Sequence, residues 1–192
     1  MLPNSLIEHS NVAAVVSDPR LPDNPIVACN AAFTQLTGYS DAEILGRNCR
    51  FLRGERTEAT QTAMLREAVV DKRPVMVELI NYKKDGSAFR NAVMIAPIFD
   101  DMGEVAFFLG SQMAISDQGN SRHERAGELI QTLSPRQRQI LEALTKGRLN
   151  KQIAFDLNLT ERTIKMHRAA LLRALDVRTV AEAIRIGIEA GF

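Results

Sequence analysis

Tryptophan is absent from the 192-residue sequence, aromatic residues make up only 5% of it, and neither sign of charge dominates, with 24 Lys and Arg against 23 Asp and Glu. Only two cysteines occur, Cys29 and Cys49, which is too few for a disulfide framework, and no CxxC or HExxH spacing offers a metal site. No apolar run approaches the roughly 20 residues needed to span a bilayer. The opening MLPNSLIEHS has no basic segment leading into an apolar one, so a secretory signal is not expected. At 45% hydrophobic residues the chain is too apolar for disorder. These absences leave a soluble, cytoplasmic, globular protein with no membrane and no metal among its partners.

The nearly balanced charge conceals an asymmetry. Residues 1–120 carry 11 basic and 15 acidic side chains, and residues 121–192 carry 13 basic and 8 acidic. A net of −4 followed by +5 is a common footprint of a sensor joined to a nucleic-acid reader. The length suits two small domains.

Residues 12–17 (VAAVVS) and 26–29 (IVAC) read as short strands on either side of a turn-prone stretch. Residues 30–73 switch to short helical pieces broken at Gly38, Gly46 and Gly54, the longest spanning 58–70. Extended segments at 75–82, 89–99 and 105–115, with turns at Asp85-Gly86 and Asp101-Met102-Gly103, form a meander. The expected first domain, residues 1–115, is α+β, a five-stranded antiparallel sheet with helices on one face, a layout similar to a PAS-type ligand pocket. Residues 116–132 read as a linker with a helix. Residues 133–192 read as an all-α domain of four helices, at about 135–146, 150–157, 160–174 and 179–190, with Ser134-Pro135 as a strong helix start.

The most informative stretch is Gly46-Arg47-Asn48-Cys49-Arg50-Phe51-Leu52. A cysteine in a helical turn is usually a small buried hydrophobe. Here, together with NYKKDG at 81–86, FRN at 89–91, API at 96–98 and FLGSQ at 108–112, it resembles the signature of the LOV photosensors, the flavin-binding branch of the PAS family, over nearly all of residues 10–115. The resemblance implies flavin mononucleotide (FMN) as cofactor and Cys49 as the thiol that adds to the ring under blue light. Gln112 would rearrange its amide beside the ring, sending the signal out through the sheet. The chemistry of the residues agrees. Guanidinium forks suit a phosphate, and Arg50 and Arg66 supply them. Side-chain amides suit the flavin's mixed donor and acceptor edge, and Asn48, Asn81, Asn91 and Gln112 supply those. Val16, Leu52, Leu79, Ile95 and Phe108 are candidates for the apolar slot. Arg53 departs from the family, many members of which have Gln there; it either reaches the phosphate as an extra cation, which is the expectation, or points to solvent. Cys29 matches no such role and is expected in the core.

Strand register supplies a further expectation. A two-residue Asp85-Gly86 loop would pair Asn81 with Arg90 and put Asn81 and Asn91 on opposite faces. An odd loop centred on Gly86 would pair the two amides directly, and the odd loop is expected.

Residues 133–178 carry 10 basic and 4 acidic side chains and resemble the LuxR-type helix-turn-helix. Ala154 would allow close helix crossing, Asn158 would occupy the turn, and Leu159, Ile164 and Leu171 would pack the core. Thr160 would cap a recognition helix whose outward face carries Lys165, Met166, Arg168 and Ala169. Lys165 and Met166 are the candidate base readers in the major groove of double-stranded DNA. Lys151, Thr163, His167 and Arg168 are the candidate phosphate contacts. The last helix is apolar on more than one side and must meet either a second copy or the sensor.

Both parts together resemble the light-regulated LOV–helix-turn-helix transcription factors. That implies a switch in which the sheet covers the recognition domain and its last helix as a monomer, and the Cys49 adduct releases it to form a homodimer on DNA. The alternative keeps the flavin without the switch, as a redox-sensing, constitutive DNA-binding dimer. No acid–base constellation or second substrate site suggests an enzyme.

Overall fold

The computed structural model of the chain describes residues 3–115 and 120–192, with side chains from 4 to 115 and from 125 onward. The expected linker start at 116–119 therefore lies outside the described residues. The first part holds β1 (Ala13–Ser17), β2 (Ile26–Cys29), α1 (Ala31–Thr37), α2 (Asp41–Ile44), α3 (Ala59–Val70), β3 (Val75–Tyr82), β4 (Ala88–Phe99) and β5 (Val105–Ala114), with 3-10 turns at Pro3–Leu6 and Cys49–Leu52. Then come α4 (Asn120–Gln131), α5 (Pro135–Thr145), α6 (Asn150–Asp156), α7 (Glu161–Ala174) and α8 (Val180–Glu189).

The five strands form one antiparallel sheet in the order β2-β1-β5-β4-β3. Helices α1–α3 and the Cys49–Leu52 turn lie over one face. Asn30 fixes the way into α1. Its Oδ1 accepts from Phe33 N and Ala14 N, and its Nδ2 reaches the carbonyls of Ile7, Ser10 and Val12. One buried amide thus ties the N-terminal segment, β1 and α1 together.

The β3–β4 loop has the expected odd parity, but its centre is Asp85. Asn91 lies opposite Leu79, and Asn81 opposite Phe89. The two asparagines share a face as diagonal neighbours rather than as a direct pair. The turn itself explains the shift. Lys83 N bonds to Ser87 O, Asp85 Oδ1 accepts from Ser87 N and Oγ, and Gly86 takes the left-handed conformation at φ +83°.

In the second part, Ser134 and Gln137 form a capping box with Pro135 at the first helical position of α5. Asn158 sits at φ +52° in the turn between α6 and α7, and Thr160 caps α7 by accepting from Thr163 N. Ile153, Ala154, Ile164 and Leu171 are buried, with Leu159 packed half-buried beside them.

The uncovered face of the sheet packs on this helical part. Ala14, Val16, Met94, Ala96, Ile98 and Leu109 join Ile140, Leu141, Leu144 and Ile184 in one continuous core. At its rim Ser10 Oγ donates to Glu182 (2.7 Å), Phe99 N to Gly147 O (3.3 Å) and Gln152 Nε2 to Asp100 O (3.0 Å). At its centre Arg185 of α8 is only 2% exposed. Its Nη1 donates to Ser111 Oγ (2.7 Å), its guanidinium reaches Ala92 O (3.4 Å), and its Nε pairs with Glu189 (2.9 Å).

Gly147 tests this docking. A Cβ there would lie 2.2 Å from Pro97 O, and its φ is +73°. Gly191 shares the conformation (φ +91°) but has nothing within 4 Å, so it isolates the backbone cost. Gly147→Ala is expected to lower the thermal midpoint several degrees more than Gly191→Ala, the excess reflecting about 1–3 kcal/mol of overpacking. Equal shifts would contradict the docking.

Candidate functional site

Beneath α3 and the Cys49–Leu52 turn lies a cavity of about 390 Å³, floored by the sheet. Strand alternation sorts the floor: Val15 and Ser17 from β1, Leu79 and Asn81 from β3, Val93 and Ile95 from β4, and Phe108, Gly110 and Gln112 from β5. Leu65, Arg66 and Val69 come from α3, Asn48, Cys49, Arg50 and Arg53 from around the turn, and Pro19, Leu21, Asp23 and Asn24 from the β1–β2 loop.

The lining combines apolar side chains with amides, a thiol and guanidinium groups. A chain of amides runs along the sheet. Asn81 Nδ2 donates to Leu52 O (3.2 Å), and Asn91 Nδ2 donates to both Asn81 Oδ1 (2.8 Å) and Gln112 Oε1 (3.1 Å). Gln112 Nε2 then donates to Cys49 Sγ at 3.2 Å, so the thiol and the last amide meet at one point of the wall. Asn91, fully buried and also accepting from Met113 N, orients the other two. Arg50, Arg53 and Arg66 also line the cavity. Burial pushes the Cys49 thiol up to about 11, with the Gln112 amide and the Arg53 charge pulling the other way. Burial and the neighbouring charges of Arg50 and Arg66 lower the Arg53 guanidinium below its ordinary range.

Two expected slot residues sit elsewhere. Val16 is buried on the opposite sheet face, against the helical domain, and Val15 takes the cavity position. The run from Ala13 to Val16 is apolar throughout, so its alternation was invisible in the sequence. Leu52 packs with Phe33 and Ile44 behind the turn and contributes only its carbonyl, to Asn81. Asn91 stands behind Asn81 and Gln112 rather than on the surface of the cavity. Cys29 is half-buried, 3.5 Å from Asp41 Oδ1, and burial with that carboxylate raises its thiol to about 12. Sequence reasoning missed Val15, Val93 and the loop residue Asn24. The Pro22-Asp23-Asn24 turn before β2 carried no signal beyond that of a turn.

On α7, Lys165, Met166 and Ala169 are exposed, Met166 at 66%. Thr163 and His167 are half-buried. Arg168 departs from its expected outward position. It follows Ile164 by four residues, which turns it toward α6, where Nη1 donates to Asn150 Oδ1 (2.6 Å). Burial lowers its guanidinium, and its Nε is buried with no hydrogen-bond partner among the described residues. Lys151 stands 3.8 Å from Asp101 of the β4–β5 turn.

A sheet-floored cavity lined by a thiol, a chain of amides and arginines defines a PAS-type sensor pocket, and a helix-turn-helix follows it. Residues 12–117 match the PAS domain family, and residues 131–186 match the bacterial regulatory proteins of the luxR family. The chain is 46% identical over 110 residues to the blue-light-activated histidine kinase 1 of Erythrobacter litoralis, covering 57% of this chain and 31% of that protein. It is 37% identical over 169 residues to a blue-light-activated histidine kinase of Rhizobium johnstonii, covering 87% of this chain and 49% of that protein. It thus spans at most about half the length of these curated relatives. Among solved structures, the dark structure of the LOV domain of the blue-light photoreceptor Aureochrome1 is similar at 39% identity and a TM-score of 0.55, covering 56% of this chain and 78% of that one. The chain belongs to the PAS domain family, in its LOV branch, with a luxR-type helix-turn-helix attached. No helix among the described residues is long and apolar enough to cross a membrane, and no cluster of metal-ligating side chains occurs among them.

With both thiols raised, each stays protonated at neutral pH. At pH 8 the flavin-free protein is expected to react with iodoacetamide about a hundredfold more slowly than a free cysteine peptide, with the rate still climbing beyond pH 10. Reaction at the free-thiol rate would contradict the burial of Cys49.

Proposed function

We propose that the chain is a blue-light-regulated DNA-binding transcription factor whose flavin is FMN. The cavity fits such a group, with an apolar slot for the ring, amides for its polar edge and guanidinium groups for its phosphate. Bound flavin supplies the absorption of blue light and the ring carbon to which the Cys49 thiol adds reversibly. What the chain's own residues do is hold that thiol neutral and poised, 3.2 Å from Gln112, and respond when the amide of Gln112 turns over.

The observation that carries the coupling is on β5. Gln112 faces the cavity, while its neighbour Ser111 faces the other way and accepts from buried Arg185 of α8. Ala92, the second acceptor of Arg185, likewise follows Asn91 of the amide chain. A turnover of Gln112 displaces the backbone that Arg185 grips. Magnitudes single out this contact. The exposed Lys151–Asp101 pair is worth under about 1 kcal/mol. The Arg185–Glu189 pair lies within α8 and travels with it. What release removes is the hydrogen bonding of the buried guanidinium to Ser111 Oγ and Ala92 O, at about 1.5–3 kcal/mol for a hydrogen bond to a charged group. Reversing a population from 1:99 to 99:1 takes about 5.5 kcal/mol.

Closure here differs in one respect from the expectation that the sheet covers the recognition domain. The sheet covers α8 and the α5–α6 turn, whereas Lys165, Met166 and Ala169 on α7 stay exposed. The closed form therefore withholds α8 from a second copy rather than hiding the base-reading face. Released, α8 pairs two chains, and Lys165 and Met166 of each enter the major groove, with Lys151, Thr163 and His167 toward the phosphates. This is the work of a regulator, not an enzyme.

A blue flash should bleach a structured flavin band that recovers in the dark, and Cys49→Ala should abolish the bleach. In Arg185→Met the bleach should persist while DNA affinity in the dark rises to that of the illuminated protein. A dark protein that already binds DNA as tightly as the illuminated one would overturn the switch.

A further inference from the structure

We infer that Ser10 and Asn11, in the segment that precedes β1, form a second clasp on α8, which closes on Glu182 and holds the helix in the dark alongside Arg185. This rests on the switch proposed above, in which release of α8 is the output. It adds an N-terminal element that sets how tightly the closed form is held.

The carboxylate of Glu182 is divided between two domains. Glu182 is the third residue of α8, and one of its oxygens closes the helix start. Oε2 accepts from Arg178 N (2.8 Å) and Thr179 N (3.4 Å), while Thr179 Oγ1 accepts in return from Glu182 N (3.2 Å). Capping needs nothing more. Oε1 points out of the helical domain and accepts from Ser10 Oγ (2.7 Å) and Asn11 N (3.0 Å). Hydrogen bonds to an ionised carboxylate are roughly twice as strong as neutral ones, and Ser10 is only 8% exposed, so water competes little for this one. That separates it from the open Lys151–Asp101 pair on the same rim.

The two donors are presented by a segment that is itself fastened. Leu6 and Ile7 are buried in the core that the sheet shares with the helical domain. Ser10 N donates to Ile7 O (3.0 Å), and Asn30 Nδ2 donates to Ser10 O (3.2 Å). Ser10 Oγ accepts from Val12 N (3.1 Å), which leaves its single proton for Glu182.

The clasp also lies on the path from the cavity. In the β1–β5 ladder Ala13 is opposite Gln112 and Ala14 is opposite Ser111. Asn11 therefore stands two residues from the position that faces Gln112. A displacement of β5 reaches Ser10 and Asn11 through β1, and it reaches Arg185 through Ser111. Glu182 and Arg185 are three residues apart, neighbours on the surface of α8. One event in β5 thus loosens two successive holds on one helix.

The test follows amide hydrogen exchange of α8 in the flavin-loaded full chain kept dark, and dark affinity for a DNA duplex selected from a random pool by the illuminated protein. Ser10→Ala removes the hydroxyl donor. Glu182→Gln keeps one acceptor oxygen, enough for the capping box, but that oxygen cannot serve both domains. Each substitution is expected to speed α8 exchange and to raise dark affinity about tenfold. The flavin band, the bleach and the affinity in light should stay at wild-type values. The double variant should match Glu182→Gln alone, because both changes break the same contact. The inference is overturned if Ser10→Ala leaves dark exchange and dark affinity unchanged, if the two effects add in the double variant, or if affinity in light rises by the same factor. An effect of Arg185→Met without one of Ser10→Ala removes the clasp alone. Dark affinity unchanged in Arg185→Met as well would remove the closed switch itself.

Discussion

Successive side chains of a strand point to opposite faces of its sheet, and in this molecule the contact between the cavity and the helical part runs through that alternation. On β5, Gln112 looks into the cavity and Ser111 looks at α8. On β4, Asn91 belongs to the amide chain and Ala92 gives its carbonyl to Arg185. The sheet is therefore a thin partition with the thiol and the amide chain on one side and α8 on the other. No long relay is needed, because the two sides share the same backbone.

The partition is asymmetric in how firmly each side is held. On the cavity side the amides of Asn81, Asn91 and Gln112 are satisfied by one another, by Leu52 O and by the thiol, in a network that becomes specific because every member is buried or nearly so. On the helical side, apolar packing of Val16, Met94 and Leu109 against α5 and α8 provides bulk attraction with little directional preference. Arg185 adds direction. A guanidinium taken out of water gains only when its acceptors are in place, so a small displacement of β4 or β5 converts a satisfied charge into a costly one. Rim contacts such as Lys151–Asp101 contribute little and set orientation.

Much of this was legible in the sequence. The strands at 26–29 and 75–82 and the helix starts at Ser134 and Thr160 carry strong local signals, in β-rich runs closed by turns and in capping residues. Cys49, Asn81, Asn91 and Gln112 were identifiable because amides in strands are unusual and their neighbours form recognisable motifs. Other features depend on tertiary geometry. An all-apolar strand hides its parity, so Val16 and Val15 exchanged places. A turn can shift its centre by one residue, so Asn81 meets Asn91 on the diagonal. Arg168 looked outward by sequence yet falls on the same stripe as Ile164 and Leu171. Arg185 was masked by the apolar residues around it, since nothing local announces that a cation in an amphipathic helix will be buried by another domain.

The central claim is that light loosens α8 from the sheet through β5. Amide hydrogen exchange of the flavin-loaded protein, in the dark and under continuous blue light, measures this directly. Light is predicted to raise exchange in α8 and in the stretch of β5 around Ser111, while the α6 and α7 core around Ile153 and Leu171 keeps its protection. Protection of α8 that is the same in light and dark would contradict the account.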